Sequence, residues 1–296
     1  MNADNKEDTT SRCASCGAAE IDDVKLKDCD GCDLVRYCSV NCQELHRKQH
    51  KEACKRRAAA LREELLFKQP ESSHMGDCPL CCLPLPLDNQ KSSICHSCSK
   101  IFCDGCCCAN MMREMEMRLQ HACPFCRESA PENDEEGDKR RMKRIEANDP
   151  VAIRQEGIKQ YTKGYYVAAF EYFRKAARLG DAQSHYHLAD LYRMVEGGEK
   201  DEGKGMYHLE EAAIGGHPDA RYLLGCLEES NSNIERAVKH WIISATQGHD
   251  KSIKTLMEGF KNGFVSKEDL AATLRAHQAA IDATKSPQRE AADKNY

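Results

Sequence analysis

Cysteine is the residue of this sequence whose number and spacing point most directly to chemistry. The chain of 296 residues has 19 cysteines, and all but Cys226 lie between Cys13 and Cys126. Most fall in pairs separated by two or three residues, which lets two thiolates face one ion from a tight turn or a single helical turn. An odd total and the absence of an apolar leader argue against a disulfide framework. The pattern therefore predicts zinc, held by groups of four soft ligands.

The first cluster covers residues 13–54 and offers eight ligands, enough for two four-coordinate zinc ions. The segments YCSVNCQ and HKEAC, with the spacings around them, closely resemble a MYND finger. In that family the two sites interleave, whereas spacing alone leaves sequential pairing open. The resemblance implies one zinc on Cys13, Cys16, Cys38 and Cys42, and one on Cys29, Cys32, His50 and Cys54.

MYND fingers generally bind short proline-containing peptides, so the resemblance implies a peptide partner for this finger. One departure bears on that role: the aromatic residue usually carried shortly before the histidine is Arg47 here. His46 competes as a ligand, but the complete ligand set favours an exposed helix residue. The family also occurs beside methyltransferase domains, and the sequence shows no motif of such a domain.

The second cluster covers residues 78–126 and again offers eight ligands. It opens with CPLC, contains FCDGC and ends with CPFCR, and it resembles an all-cysteine RING finger. The cross-brace of that family implies one zinc on Cys78, Cys81, Cys103 and Cys106, and one on Cys95, Cys98, Cys123 and Cys126. His96 is an alternative to Cys95, because related fingers often place that ligand two residues before the next. Three thiols are surplus: Cys82, Cys107 and Cys108.

These zinc ions are expected to be structural. The two segments are too small to bury a sufficient apolar core, and structural zinc supplies about 10–16 kcal/mol of folding free energy. A closed four-ligand site has no open position for substrate or water, which makes a nucleophilic-cysteine mechanism improbable. We expect about four zinc ions, all of them structural.

Arg127 follows the last ligand, and the RING resemblance assigns it a chemical role. RING-type ubiquitin ligases hold a ubiquitin-charged conjugating enzyme so that its thioester faces the incoming lysine, a gain from positioning. In active members an arginine or lysine here bridges both proteins, and a planar guanidinium suits a contact to two carbonyls. Leu80 and Pro124 match the apolar positions that contact the conjugating enzyme. The helix between the cysteine pairs lacks the tryptophan that often lies in the groove for the conjugating enzyme. Three methionines are available to fill that space: Met111, Met112 and Met115.

Composition changes abruptly after the second cluster. Residues 131–149 are nearly all charged or polar and predict a linker or an exposed helix. Within them KRRMKR (139–144) favours a helical face, with a nuclear localisation signal as the alternative. The net charge of −5 and the lack of interleaved aromatics argue against nucleic-acid binding. No run is long enough to cross a bilayer, so we expect an intracellular protein, cytoplasmic, nuclear or both, without a membrane partner.

From about residue 150 the sequence repeats. Ser184, Ala220 and Ser252 recur at steps of 36 and 32 residues, and apolar residues within each unit follow helical spacing. The anchors KAARLGDAQSHYHLA, EAAIGGHPDARYLLG and SATQGHDKSIKTLM resemble Sel1-like repeats, relatives of the tetratricopeptide family. The resemblance implies an α-helical solenoid whose concave surface binds other proteins. Three histidines are expected to lie on helix surfaces: His185, His187 and His208.

The expected fold class is two small zinc-stabilised modules followed by an all-α, Sel1-like solenoid. The expected organisation is a disordered tail (1–10), a MYND-type finger (11–56), a linker or helix (57–75), a RING-type finger (76–130), a charged linker (131–149), Sel1-like repeats (150–282) and a disordered tail (283–296). The predicted function is that of a RING-type ubiquitin ligase, with a conjugating enzyme and protein substrates as partners. The alternative hypothesis is a non-enzymatic adaptor that scaffolds protein complexes.

Overall fold

The computed structural model describes residues 12–21, 25–194 and 201–294. The chain forms two compact units, Met1–Lys68 and Gln69–Tyr296. The tail expected over 1–10 lies outside the described residues. Within the described ranges, no helix combines the length and the apolar character that crossing a membrane requires.

The first unit is a small hairpin followed by one long helix. Strands β1 (Lys27–Asp28) and β2 (Arg36–Tyr37) pair antiparallel, and helix α1 spans Val40–Leu66. Ser39 caps α1 by accepting a hydrogen bond from the Cys42 N–H at 3.2 Å, a typical start for a helix. The buried core consists largely of cysteines, joined by Leu26 and Tyr37. This module therefore depends on whatever its cysteines bind.

The second unit begins with a similar small module. A short 3-10 helix (Asn89–Lys91) leads into an antiparallel pair, β3 (Ser92–Ile94) and β4 (Ile101–Cys103), and then into α2 (Asp104–Glu116). Its core again combines cysteines with only a few apolar side chains, notably Leu85 and Phe102.

The rest of the second unit is helical. Its helices are α3 (Asp134–Glu146), α4 (Pro150–Thr162), α5 (Tyr166–Arg178), α6 (Ala182–Met194), α7 (Glu202–Ile214), α8 (Pro218–Ser230), α9 (Ile234–Thr246), α10 (Asp250–Lys261), α11 (Lys267–Ala283) and α12 (Pro287–Asp293). Neighbours pack in pairs, α4 on α5, α6 on α7 and α8 on α9. Close approach needs small residues: a Cβ at Gly225 would lie 2.3 Å from Trp241 Nε1, and one at Gly157 2.7 Å from Phe173.

The repeat signature is a glycine followed by a capping residue. Each glycine has a φ between 83 and 91°, in the left-handed region that ends a helix. The side chain of the next residue accepts a hydrogen bond from the backbone N–H three positions on, which starts the following helix. The three pairs are Gly180–Asp181, Gly216–His217 and Gly248–His249.

Two segments for which a disordered tail or a linker was considered contain helices in the structure. The structure corrects the tail expected over 283–296, since α12 occupies Pro287–Asp293 with Arg289 and Ala292 buried; residues 295–296 lie outside the described part. This helix packs on α2, a long-range contact that its polar sequence does not signal. The charged segment 131–149 contains α3, as the helical alternative predicted, and its Arg141 is buried.

Candidate metal centres

Sixteen ligand residues come together as four groups, within each of which the ligand atoms all lie within 4.8 Å of one another. We name them sites I to IV. Site I is Cys13, Cys16, Cys38 and Cys42; site II is Cys29, Cys32, His50 and Cys54; site III is Cys78, Cys81, Cys103 and Cys106; site IV is Cys95, Cys98, Cys123 and Cys126. In both modules the pairs interleave along the chain, the arrangement that the two resemblances imply.

The spacing of the thiols fits zinc. A tetrahedral ion with Zn–S bonds of about 2.3 Å places neighbouring sulfurs about 3.8 Å apart. The Sγ atoms of Cys29 and Cys54 are 3.8 Å apart, as are those of Cys81 and Cys103. All of the cysteines are free thiols. The ligand sets are those of about four structural zinc ions, and zinc bound there supplies folding energy rather than an open catalytic position.

One backbone turn recurs at five of the cysteine pairs. The N–H of the residue after the second cysteine donates to the carbonyl of the first cysteine, at 2.8–3.3 Å. That residue has a φ between 55 and 74°, so the two thiols of the pair converge. The five residues are Gly17, Asp33, Cys82, Ser99 and Arg127. Only the first is glycine, so four side chains occupy a conformation that costs about 1–2 kcal/mol.

The remaining ligands lie on helices or at their N-terminal ends, and Cys38 directly precedes Ser39, the N-cap of α1. Cys42, His50 and Cys54 lie on α1, and the four-residue step from His50 to Cys54 keeps both on one face. Cys103 is the N-cap of α2 and Cys106 lies in its first turn.

His46 supports site II rather than binding its ion. Its Nδ1 lies 3.1 Å from the hydroxyl of Tyr37, and its ring stacks on His50 with centroids 5.7 Å apart. Burial raises the pKa of Tyr37 to about 12, so the phenol stays protonated and can donate to His46. The pair orients the ligand ring, a role that sequence spacing did not reveal.

Cys95 belongs to site IV, whereas His96 lies outside the group. The His96 Nδ1 lies 3.4 Å from the Arg141 guanidinium, which also donates to Glu156 at 3.0 Å. The surplus thiols Cys82, Cys107 and Cys108 are in none of the four groups. Burial raises the pKa of Cys107 to about 11, which keeps it protonated and weakly reactive.

The residues predicted to contact other proteins are only partly brought together. Arg127 is exposed, and within the described residues its guanidinium forms no hydrogen bond or ion pair. Pro124 lines a cavity of about 240 Å³ together with Met111 and Phe102. Leu80 is 37% exposed but does not line this cavity.

A buried carboxylate holds the CPFC turn against α2. Glu114 accepts hydrogen bonds from the Asn110 amide at 2.8 Å and the Ala122 N–H at 3.2 Å, and its other oxygen lies 2.7 Å from His121 Nδ1. Burial by itself would raise the pKa of Glu114, but these hydrogen bonds outweigh it and lower the pKa. This network fixes the position of the turn that carries Pro124. No feature of the sequence had singled out Glu114.

The second module lies against the repeat helices. The His74 N–H donates to the Gly216 carbonyl at 3.1 Å, and its Nε2 lies 2.8 Å from the Gln183 side-chain oxygen. Arg140 of α3 donates to Ser97 at 3.2 Å. The segment before the module thus covers part of the surface of the repeat helices.

The three repeat histidines differ from the expected surface residues. His187 stacks on Phe173 at 4.6 Å, and the Nδ1 atoms of His185 and His208 are 2.9 Å apart. Burial lowers the pKa of His187 and His208 to about 4. These neutral rings pack between helices, and no acidic or thiol ligand joins them in a metal group within the described residues.

Comparisons with known proteins agree with this architecture. The MYND finger family matches residues 13–54, and the Sel1 repeat family matches 157–181, 182–217 and 218–249. Chitin synthase regulatory factor 4 of Schizosaccharomyces pombe is 29% identical over 86 residues, which are 29% of this chain and only 14% of that protein.

Two solved structures are similar to part of this chain. The Sel1 repeat protein from Oxalobacter formigenes is 21% identical with a TM-score of 0.45, covering 59% of this chain and 70% of that one. The protective antigen c5321 of uropathogenic Escherichia coli, which displays an SLR fold, is 20% identical with a TM-score of 0.42, covering 50% of this chain and 34% of that one.

Proposed function

Starting from a chain that carries a MYND finger, three Sel1 repeats and about four structural zinc sites, we propose that residues 76–130 act as a RING-type ubiquitin ligase. The module holds a ubiquitin-charged conjugating enzyme, and the repeats and the MYND finger recruit protein substrates. Because the zinc sites are closed, the chemistry is positional and forms no bond to this chain.

The observation that carries the proposal is the combination of interleaved sites III and IV with a free arginine directly after the last ligand. Arg127 occupies a left-handed turn whose N–H is tied to the Cys123 carbonyl at 2.9 Å. Its backbone is fixed while its side chain is exposed, which suits a guanidinium that bridges two carbonyls of bound partners.

Exposed apolar side chains of the same module supply a surface for the conjugating enzyme. Leu80 is 37% exposed, and Met112 and Met115 on α2 are 57% and 75% exposed. Methionine adapts to irregular partner surfaces. These side chains support the substitution of methionine for the tryptophan usually found in this groove.

In this proposal, the fixed position of the second module against the repeat helices has a consequence for catalysis. A substrate bound by the repeats would meet the thioester at a constrained distance, because His74 and Arg140 tie the module to the helices. Constraining two reactants in this way raises their effective concentration.

A ubiquitination assay against a panel of conjugating enzymes tests the proposal. We expect Arg127→Ala to lower the rate at least about tenfold, equivalent to about 1.4 kcal/mol of lost stabilisation, with four zinc ions retained. Arg118→Ala is the matched control, since Arg118 is also exposed, belongs to the same module and has a φ of 53°. We expect that variant to stay within about twofold of the parent, because Arg118 does not follow the last zinc ligand and has no role in the proposed bridge.

The alternative is a non-enzymatic adaptor, in which both zinc modules serve only as binding surfaces. The one curated relative above is named a regulatory factor, and a zinc module built into the repeats suits a rigid scaffold. No ubiquitin transfer with any conjugating enzyme, despite full zinc, would contradict the ligase and select the adaptor. Equal losses in Arg127→Ala and Arg118→Ala would remove the proposed role of Arg127.

A further inference from the structure

Arg289 makes an unusual set of contacts for a residue so close to the end of the chain. It lies on α12, and only 7% of it is exposed. Its guanidinium donates to the carbonyls of Pro84 and Thr284, both at 2.7 Å, and of Leu83 at 3.2 Å. It also donates to the Sγ of Cys81 at 3.3 Å. The last of these atoms is a ligand of site III.

The charge of this arginine needs a partner. A buried cation is costly unless an opposite charge lies close by. Within the described residues, no carboxylate pairs with Arg289, and its neighbours are carbonyls and a thiol. Four thiolates around one divalent zinc carry a net charge of about −2. A filled site III therefore supplies the countercharge that the other contacts do not.

The backbone of α12 also covers the second ligand-bearing element of site III. A Cβ at Gly105 would lie 2.7 Å from the Arg289 backbone nitrogen, so only glycine lets the two helices approach this closely. Gly105 precedes Cys106 in the first turn of α2, and Cys103 caps that turn. The contact thus reaches both the turn that carries Cys81 and the helix start that carries Cys106.

We propose that Arg289 is a positioning residue for site III: by donating to the Cys81 thiolate and neutralising its charge, it sets how tightly this site retains zinc. Partners of metal ligands tune affinity by about 10–100-fold in other proteins. Among the described residues site IV has no equivalent, because Arg140 and Arg141 reach Ser97 and His96 rather than a thiol. We therefore expect the effect at site III and not at site IV, and it does not depend on ligase activity.

Zinc release from the full-length protein, followed by cysteine alkylation mapping, tests this inference. The variants are Arg289→Met, which removes the charge, and Arg289→Lys, which keeps it without the planar fork. Lys91→Met is the matched control, because Lys91 pairs with Asp293 of α12 at 2.9 Å but touches no thiol. A chelator is added, and the rate at which each cysteine becomes alkylated is read by mass spectrometry.

We expect Arg289→Met to speed alkylation of the site III cysteines at least about tenfold, Arg289→Lys to lie between it and the parent, and Lys91→Met to match the parent. The cysteines of sites I, II and IV should keep their parent rates in all variants. Acceleration spread evenly over sites III and IV in both Arg289 variants would mean that the arginine only holds the fold, and would overturn the proposal. Parent-like rates in Arg289→Met would do the same.

Discussion

The two zinc modules are built on the same ligand geometry but are supported in opposite ways. In the first module the supporting groups are local: Tyr37 and His46 lie beside the ligand His50, and Arg36 pairs with Glu20 at 2.7 Å. In the second module they come from far along the chain, as in the contacts of Arg289 with Cys81. Local support suits an interchangeable module, whereas distant support makes the second module a part of the repeat unit.

Removing zinc should have the largest effect, and it should separate the first module from the repeat helices. Each structural zinc supplies about 10–16 kcal/mol of folding free energy, and the core of the first module consists largely of its own ligands. The cores of the repeat helices are apolar. We expect a chelator to unfold residues 12–54 while α4–α11 keep their helical circular dichroism, with limited proteolysis mapping the cuts. Re-addition of zinc is the control, and a repeat region cut as fast as the first module would contradict the comparison.

Breaking the α3 contact should have the next largest effect, and only on the second unit. Arg141 pairs with Glu156 at 3.0 Å, and both side chains are about nine-tenths buried. Arg141→Met leaves a buried carboxylate without this partner, which costs about 3–5 kcal/mol. Chemical denaturation followed by circular dichroism measures the loss.

Lys139→Met is the matched control for that variant. Lys139 lies on the same helix and pairs with Glu135 at 2.9 Å, but both side chains are more than two-thirds exposed. Exposed pairs of this spacing are worth about 0.3–0.5 kcal/mol. If Arg141→Met were as mild as Lys139→Met, α3 would not be what holds the second module to the repeats.

The pH dependence of the second unit gives the smallest effect. Burial lowers the pKa of His187 to about 4, against about 6.5 in the unfolded chain. Between these values the unfolded state binds the extra proton, so the stability that neutral His187 contributes is lost as pH falls from about 6.5 towards 4. The loss is at most about 1.4 kcal/mol per pH unit.

His187→Gln removes this titrating group and isolates its contribution. Denaturation of both proteins at pH 7.0 and 5.5 gives a difference in which the acid sensitivity shared by the zinc sites cancels. We expect the variant to lose less stability than the parent on acidification. An equal loss in both proteins would show that His187 is protonated as readily when folded as when unfolded.

The ligand pairs were predictable from local rules, whereas the way in which pairs share one ion was implied only by the family resemblances, since spacing left sequential pairing open. Pairs of cysteines two or three residues apart converge by turn or helix geometry, and eight ligands divide into two sets of four. The repeat glycines were also visible, since Gly180, Gly216 and Gly248 mark helix ends in a periodic pattern. The choice of Cys95 over His96 needed the fold itself, because both residue types bind zinc.

What escaped prediction depends on contacts between distant residues. The segment PQREAAD has no apolar stripe, yet α12 is held in place by Arg289 and by packing on α2. The sequence indicates that His187 is an ordinary helix-surface residue, but in the structure its ring stacks on Phe173 of the neighbouring helix. Such features depend on tertiary packing that overrides local composition.

The contact between Arg289 and Cys81 also fixes an order of events during protein synthesis. The four ligands of site III have all been made by residue 106, but the arginine that touches one of them follows 183 positions later, since 289 − 106 = 183. At about 5–20 residues per second, translation leaves that site without the Arg289 contact for roughly 10–40 s. The first module meets no such delay, because His46 and Tyr37 emerge together with the ligands they support. A nascent chain therefore completes its first finger early, whereas its second finger gains the Arg289 contact only after α12 has been made.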